Sequence, residues 1–186
     1  MAGPVISISL RQLLDEQARG ALDAYLRSLT DRCVEHPKPG CWALNLDPEL
    51  LGITRSAWER SRPFLLETNG SGNDDGTFFE TGHFIKSDWG FLPPLLGFTP
   101  VAMLSIIAMG SSQVDHTATA LLAAEAMDIT GGIAFVELYD HQVKTVSALP
   151  GVLAAVSATG DQSPFALGDS RLLRAFAATP AFRLLK

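Results

Sequence analysis

The feature that most constrains how this chain folds is a stretch without charge: the 26 residues from Trp89 to Val114 contain no Asp, Glu, Lys or Arg. Its continuous part, Val101-Ala-Met-Leu-Ser-Ile-Ile-Ala-Met109, has the pattern of a strand covered on both faces. Gly110 to Val114 then supplies a turn, and Asp115 stands where a helix N-cap is expected, its carboxylate able to accept from the amides of the first turn. Leu121, Leu122, Ala124, Glu125 and Met127 predict a helix to about Asp128, which Gly131-Gly132 ends. A second strand follows at Ile133–Leu138. This strand-helix-strand unit over 101–138 is the expected centre of the fold. A membrane span is not expected in the charge-free stretch, because Gly90, Pro93, Pro94, Gly97 and Pro100 leave too short an apolar run to cross a bilayer of about 30 Å.

The rest of the chain must supply partners for those strands. With 186 residues, 47% of them hydrophobic, one domain with a sizeable core is expected over 1–186. Val5, Ile6, Ile8 and Leu10 around Ser7 and Ser9 predict a first strand. Leucines and alanines at helical spacing predict a helix within 11–35, ended by the prolines of 36–40. Cys41–Leu46 is the next strand, and Asp47-Pro48 opens a turn or short helix. Helical pieces are expected through Arg62, then strands near Phe64–Glu67 and Thr77–Ile85 joined by the turn-forming loop Thr68–Gly76. Lys86–Pro100 reads as an ordered, packed loop. A strand at Val152–Ala158 and a terminal helix capped by Asp169 or Ser170, interrupted at Thr179-Pro180, complete the pass. The expectation is an α+β fold: a mixed or largely antiparallel sheet of about five to seven strands with helices packed on it.

The net charge of −6 is unevenly spread. Residues 1–62 hold 8 acidic and 8 basic groups, 63–143 hold 10 acidic against Lys86 alone, and 144–186 hold 2 acidic and 5 basic. A middle segment so short of cations repels nucleic acid and attracts a basic partner, acting on encounter rate before affinity. Arg171, Arg174, Arg183 and Lys186 form the one basic cluster, too small for a nucleic-acid footprint. Cys33 and Cys41 flank a bend that would let them approach, but no further ligands complete a metal site, and both are expected as free thiols. Met1-Ala-Gly-Pro4 lacks the basic and apolar regions of a signal peptide, which predicts a cytoplasmic protein.

Catalytic patterns are weak. Gly70-Ser-Gly72 and Gly76 lack the Lys-Ser/Thr of a phosphate loop, and Asp74 and Asp75 would repel phosphate. There is no Gly-x-Ser-x-Gly elbow. His83 lies among aromatics, and His36 precedes a proline bend. Asp115-His116 reads as a cap followed by a surface histidine, while Asp140-His141 near Glu137 has the donors but not the alternation of a metal site. An enzyme or ligand binder, the alternative reading, would use His83, Asp115, His116 and His141.

From Gly97 onward, the order Gly-Phe-Thr-Pro100, an apolar strand ending Ala108-Met109, Val114-Asp115-His116, a Leu/Ala helix, Gly131-Gly132-Ile133 and the closing Leu172–Lys186 resembles an uncharacterised family of small bacterial proteins. That family is similar to immunity proteins of polymorphic-toxin and type VI secretion systems. The resemblance covers about half of the chain and brings no catalytic residues. It implies a non-enzymatic, cytoplasmic protein, without cofactor or metal, that blocks a cognate, basic toxin such as a nuclease. Asp74, Asp75, Glu80, Asp88, Glu125, Asp128, Glu137 and Asp140 are then the candidate contacts, with Trp89 an aromatic anchor.

Overall fold

The computed structural model describes residues 3–30, 32–35, 40–54, 62–70, 92–158, 163–180 and 182–185. They form strands β1 (Val5–Leu10), β2 (Cys33–Glu35), β3 (Cys41–Leu46), β4 (Arg62–Gly70), β5 (Ala102–Ala108), β6 (Ile133–Glu137), β7 (Val152–Val156) and β8 (Phe165–Gly168). The α-helices are α1 (Glu16–Ser28), α2 (Leu92–Leu96), α3 (Gln113–Thr130), α4 (Val143–Val146) and α5 (Ser170–Ala177), with 3-10 turns at Pro48–Leu51 and Asp140–Gln142. All eight strands join one sheet in the order β2-β3-β4-β5-β1-β6-β8-β7. Every neighbouring pair is antiparallel. The α+β class is the expected one, and the sheet is one strand larger than the expected range.

The central strand is β1, which pairs with β5 on one side and β6 on the other. Its alternation is the reason. Ile6, Ile8 and Leu10 are fully buried in the main core with Trp42, Leu66, Leu104, Ile106 and Ala134. Helices α1, α3 and α5 supply the other half of that core through Leu22, Leu26, Leu122, Ala123, Leu172, Leu173 and Phe176. α3 has buried residues on nearly every turn, as a helix enclosed by its own protein should. Gly132 lets it return: at φ +98° a side chain there would also press its Cβ to 2.7 Å from Ile8 Cγ2 and Ser9 O, so the tight connection to β6 requires glycine.

Other boundaries moved for local reasons. The helix expected within 11–35 starts only where Asp15 accepts from Ala18 N at 2.7 Å. It ends at Ser28 because Cys33–Glu35 pairs with β3 instead, Val34 lying opposite Ala43. The ordered loop before Pro100 contains α2, which covers the second face of the sheet beside β6, β8 and β7. There Leu92 and Leu96 pack with Phe165 and Leu167, Phe135 stacks on Phe165 at 5.1 Å, and the Arg11 guanidinium lies 4.2 Å from the Phe98 ring centre. The closing residues 182–185 have no helix. The expected strand at 77–85 and most of the loop before it lie outside the described residues; Thr68–Gly70 extend β4. Among the described residues no helix is long and apolar enough to cross a membrane.

Leu104 is 0% exposed at the centre of β5. Leu104→Ala should cost about 2–5 kcal/mol of unfolding free energy, read from the shift of a urea midpoint.

Candidate functional site

The acidic side chains divide into three groups. Asp74, Asp75, Glu80, Asp88 and the aromatic Trp89 lie outside the described residues. Glu125 and Asp128, one turn apart near the end of α3, converge on Arg174 of α5, whose Nη2 donates to Glu125 Oε1 at 2.7 Å and to Asp128 Oδ2 at 2.6 Å. That guanidinium and the Ser170 hydroxyl hold the Asp128 carboxyl below its ordinary value. Glu137 and Asp140 are exposed at the far end of β6, and desolvation pushes the Glu137 carboxyl up. Ala134 and Val136 pack on the helix side of β6 and Ile133 and Phe135 on the other, so alternation puts Glu137 on the sheet face opposite α3, away from Glu125 and Asp128. The described acids therefore form two small clusters rather than one edge.

Asp115 and His116 are not at the surface. Ser112, rather than Asp115, is the N-cap, and Asp115 is the third residue of a capping box in which Ser112 N donates to its Oδ2 at 2.7 Å. Asp115 is fully buried, and a buried charge demands a partner. Arg62 supplies it from the start of β4, with Nε donating to Oδ1 at 2.7 Å and Nη2 to Oδ2 at 2.5 Å. Burial alone would push the Asp115 carboxyl up; the Arg62 guanidinium and the Ser112 amide and hydroxyl outweigh it and hold it below the ordinary value. His116 is buried and its Nδ1 accepts from Leu184 N at 3.2 Å. Gln113 Nε2 donates to Phe182 O and Gln142 Nε2 to Arg183 O, each at 2.9 Å. These side chains fasten the closing segment to α3 and to the turn after β6. His141 is exposed and stacks on Tyr139 at 5.6 Å, while His83 and His36 lie outside the described residues.

Cys33 alternates with Val34 and packs against the helix-side core, whereas Cys41 shares the opposite sheet face with Ala43. Neither forms a disulfide bond, and burial pushes the Cys33 thiol up. Among the described residues no three of His, Cys, Asp and Glu are grouped to hold a metal ion.

One feature lies outside every sequence expectation. Helices cover the first sheet face throughout, but the second face over β2, β3, β4, β5 and β1 carries an apolar row, Val34–Ala43–Leu65–Ile107–Val5, in continuous cross-strand register. A groove of about 490 Å³ borders its Val34–Ala43–Leu65 part and is lined also by Pro63, Met109, Arg32 and Asn45. Glu67 lies two residues beyond Leu65 on the same face of β4, with its Oε1 3.9 Å from Cys41 Sγ.

The model of DUF6368, a family of unknown function, matches residues 2–186. The chain belongs to that family. Searches of curated proteins and of solved structures give no match. The family match takes in both the acidic clusters on α3 and β6 and the strands that build the open face.

Two substitutions separate the buried ion pair from the exposed one. Without Arg62, Asp115 is left as a buried charge, so Arg62→Met should cost about 3 kcal/mol near neutral pH. An unfolded Asp titrates near about 3.9, and the folded Asp115 lies below that. The pair's stabilisation is thus complete above the unfolded value and lost as pH falls through the folded one. The gap between native chain and Arg62→Met should narrow below about pH 4 in urea unfolding. Arg174→Ala removes half-exposed pairs and should cost no more than about 1 kcal/mol in the same assay.

Proposed function

We propose that this protein is an immunity protein that acts in the cytoplasm, binding one cation-rich bacterial toxin, such as a nuclease, and occluding its working surface. The observation that carries the reading is the charge asymmetry, with 10 acidic groups against Lys86 across residues 63–143. The arrangement of the described cations supports it. Arg62 is engaged by Asp115, Arg174 by Glu125 and Asp128, and Arg171 by Asp169. Glu137 and Asp140 remain exposed. A protein that grips nucleic acid does so with Lys and Arg aimed at phosphates; carboxylates offered to the same side chains compete for them. Long-range attraction of this kind speeds encounter, and close packing decides how long the complex lasts.

Co-expression with the product of the adjacent reading frame tests the role. That product alone should stop growth, and this protein should restore it. A neighbour that is harmless alone, or still toxic in this protein's presence, sinks the reading. Replacing both Asp74 and Asp75 by Lys should weaken binding of the purified toxin at least tenfold in titration calorimetry if those carboxylates meet its cations; unchanged affinity removes them from the contact.

A further inference from the structure

The apolar row across the second sheet face plays no part in the charge argument, yet several of its side chains stand in solvent. Five consecutive strands present Val34, Ala43, Leu65, Ile107 and Val5 at one height with no polar side chain between them. Val34 is 63% exposed, Met109 53% and Val5 38%. Strand alternation gives such a row a definite face, since a slip of one residue would turn it inward. Four strand spacings make it about 19 Å long, and the next row, which includes Asn45 and Pro63, lies about 7 Å away. The apolar footprint is on the order of 300 Å², the size at which a patch on a monomer is often functional.

A specific protein interface takes about 800 Å² from each partner, so the row is the apolar centre of a wider contact, and charge chooses the occupant. A second copy would bring −6 against −6; a foreign protein with apolar side chains amid cations meets no such repulsion. Glu67, on the same face one row from Leu65, is an acceptor placed for a Lys or Arg beside that apolar contact. The geometry points to the Val34–Leu65–Val5 row as the apolar anchor for a cation-rich protein partner, with Glu67 at its rim. The partner's charge rests on the proposed immunity role; the row itself does not. Apolar side chains seated between Leu65 and Met109 would form the dry centre of the interface, the part that governs dissociation.

Site-directed photocrosslinking tests this. A benzophenone amino acid is placed at position 34, 65 or 109 of the full chain in its own host, with positions 50 and 153 as comparators, since Leu50 and Leu153 are each 56% exposed elsewhere. One cation-rich protein should be captured from the three row positions and from neither comparator. With that protein purified, Leu65→Asp should weaken binding at least tenfold, and Leu153→Asp should change it less than twofold. The added carboxylate at position 65 would strengthen a contact driven by charge alone, so the direction of the change discriminates. Val34→Asp, at an exposed edge position, repeats the test if the thermal midpoint of Leu65→Asp shows a damaged fold. Capture of a second copy, equal capture from positions 50 and 153, no capture, or unaltered affinity of the Asp variants overturns the proposal. If the captured protein is harmless when expressed alone, the docking row stands and the immunity role falls.

Discussion

The carboxylate of Asp115 sits where water cannot reach it, and much of the arrangement around the sheet follows from satisfying it. Its oxygens take Arg62 from the start of β4 and the Ser112 amide from the start of α3, so a strand and a helix 53 residues apart in one of those bonds are fixed by a single group. Gly110 leaves the room, since a Cβ there would lie 3.1 Å from Asp115 Cγ. With the first turn of α3 held, Gln113 and His116 stand ready to bind the backbone of Phe182 and Leu184. Phe182 then meets Phe176 edge to face at 4.8 Å. One buried charge thereby locates a strand, the longest helix and the closing segment.

This dependence explains which parts of the fold were legible in the sequence. The unit at 101–138 announces itself through an uncharged run, a helix of strong formers and a glycine pair, all local signals. Its cap was legible only in part. Ser112 and Asp115 both have capping side chains, and the choice between them is made by Arg62, too distant for local pattern to weigh. β2 and β8 have three and four residues, too few to display a period. They are strands because β3 and β6 offer them edges, and pairing overrides weak local preference. The closing segment looked helical for the complementary reason: Ala181, Arg183, Leu184, Leu185 and Lys186 are good helix formers, but side chains on α3 and after β6 claim its carbonyls and amide first.

The acids show the same division between count and arrangement. Their excess over 63–143 is plain in the sequence. That Glu125 and Asp128 meet Arg174 across 49 and 46 residues is not. Proximity in sequence also misleads for Cys33 and Cys41, which alternation sends to opposite faces of the sheet, and for Asp115 and His116, whose polarity suggested a surface pair. In each case the missing information is which face of a neighbouring element a side chain meets.

The open row makes the point in reverse. Leu104-Ser-Ile-Ile107 lies in the run that reads as a strand covered on both faces, Phe64–Glu67 reads as a strand, and for Phe64, Leu66, Leu104 and Ile106 burial is complete or nearly so. Leu65 and Ile107 are as apolar but only half-buried. An antiparallel sheet with helices on one face ordinarily turns polar residues to the other; β1 places Ser7 and Ser9 there, both of them buried. The departure from that rule runs along one register height across five strands, with Pro63 and Met109 adding to it on the next row, and it demands that five separated segments of the chain each carry an apolar residue at the matching position. Core packing cannot account for these positions, because their side chains point away from the main core. A requirement acting at the surface can, and it complements the acidic excess: charge acts over distance and sets how often a partner arrives, whereas apolar contact acts only on touching and sets how slowly it leaves.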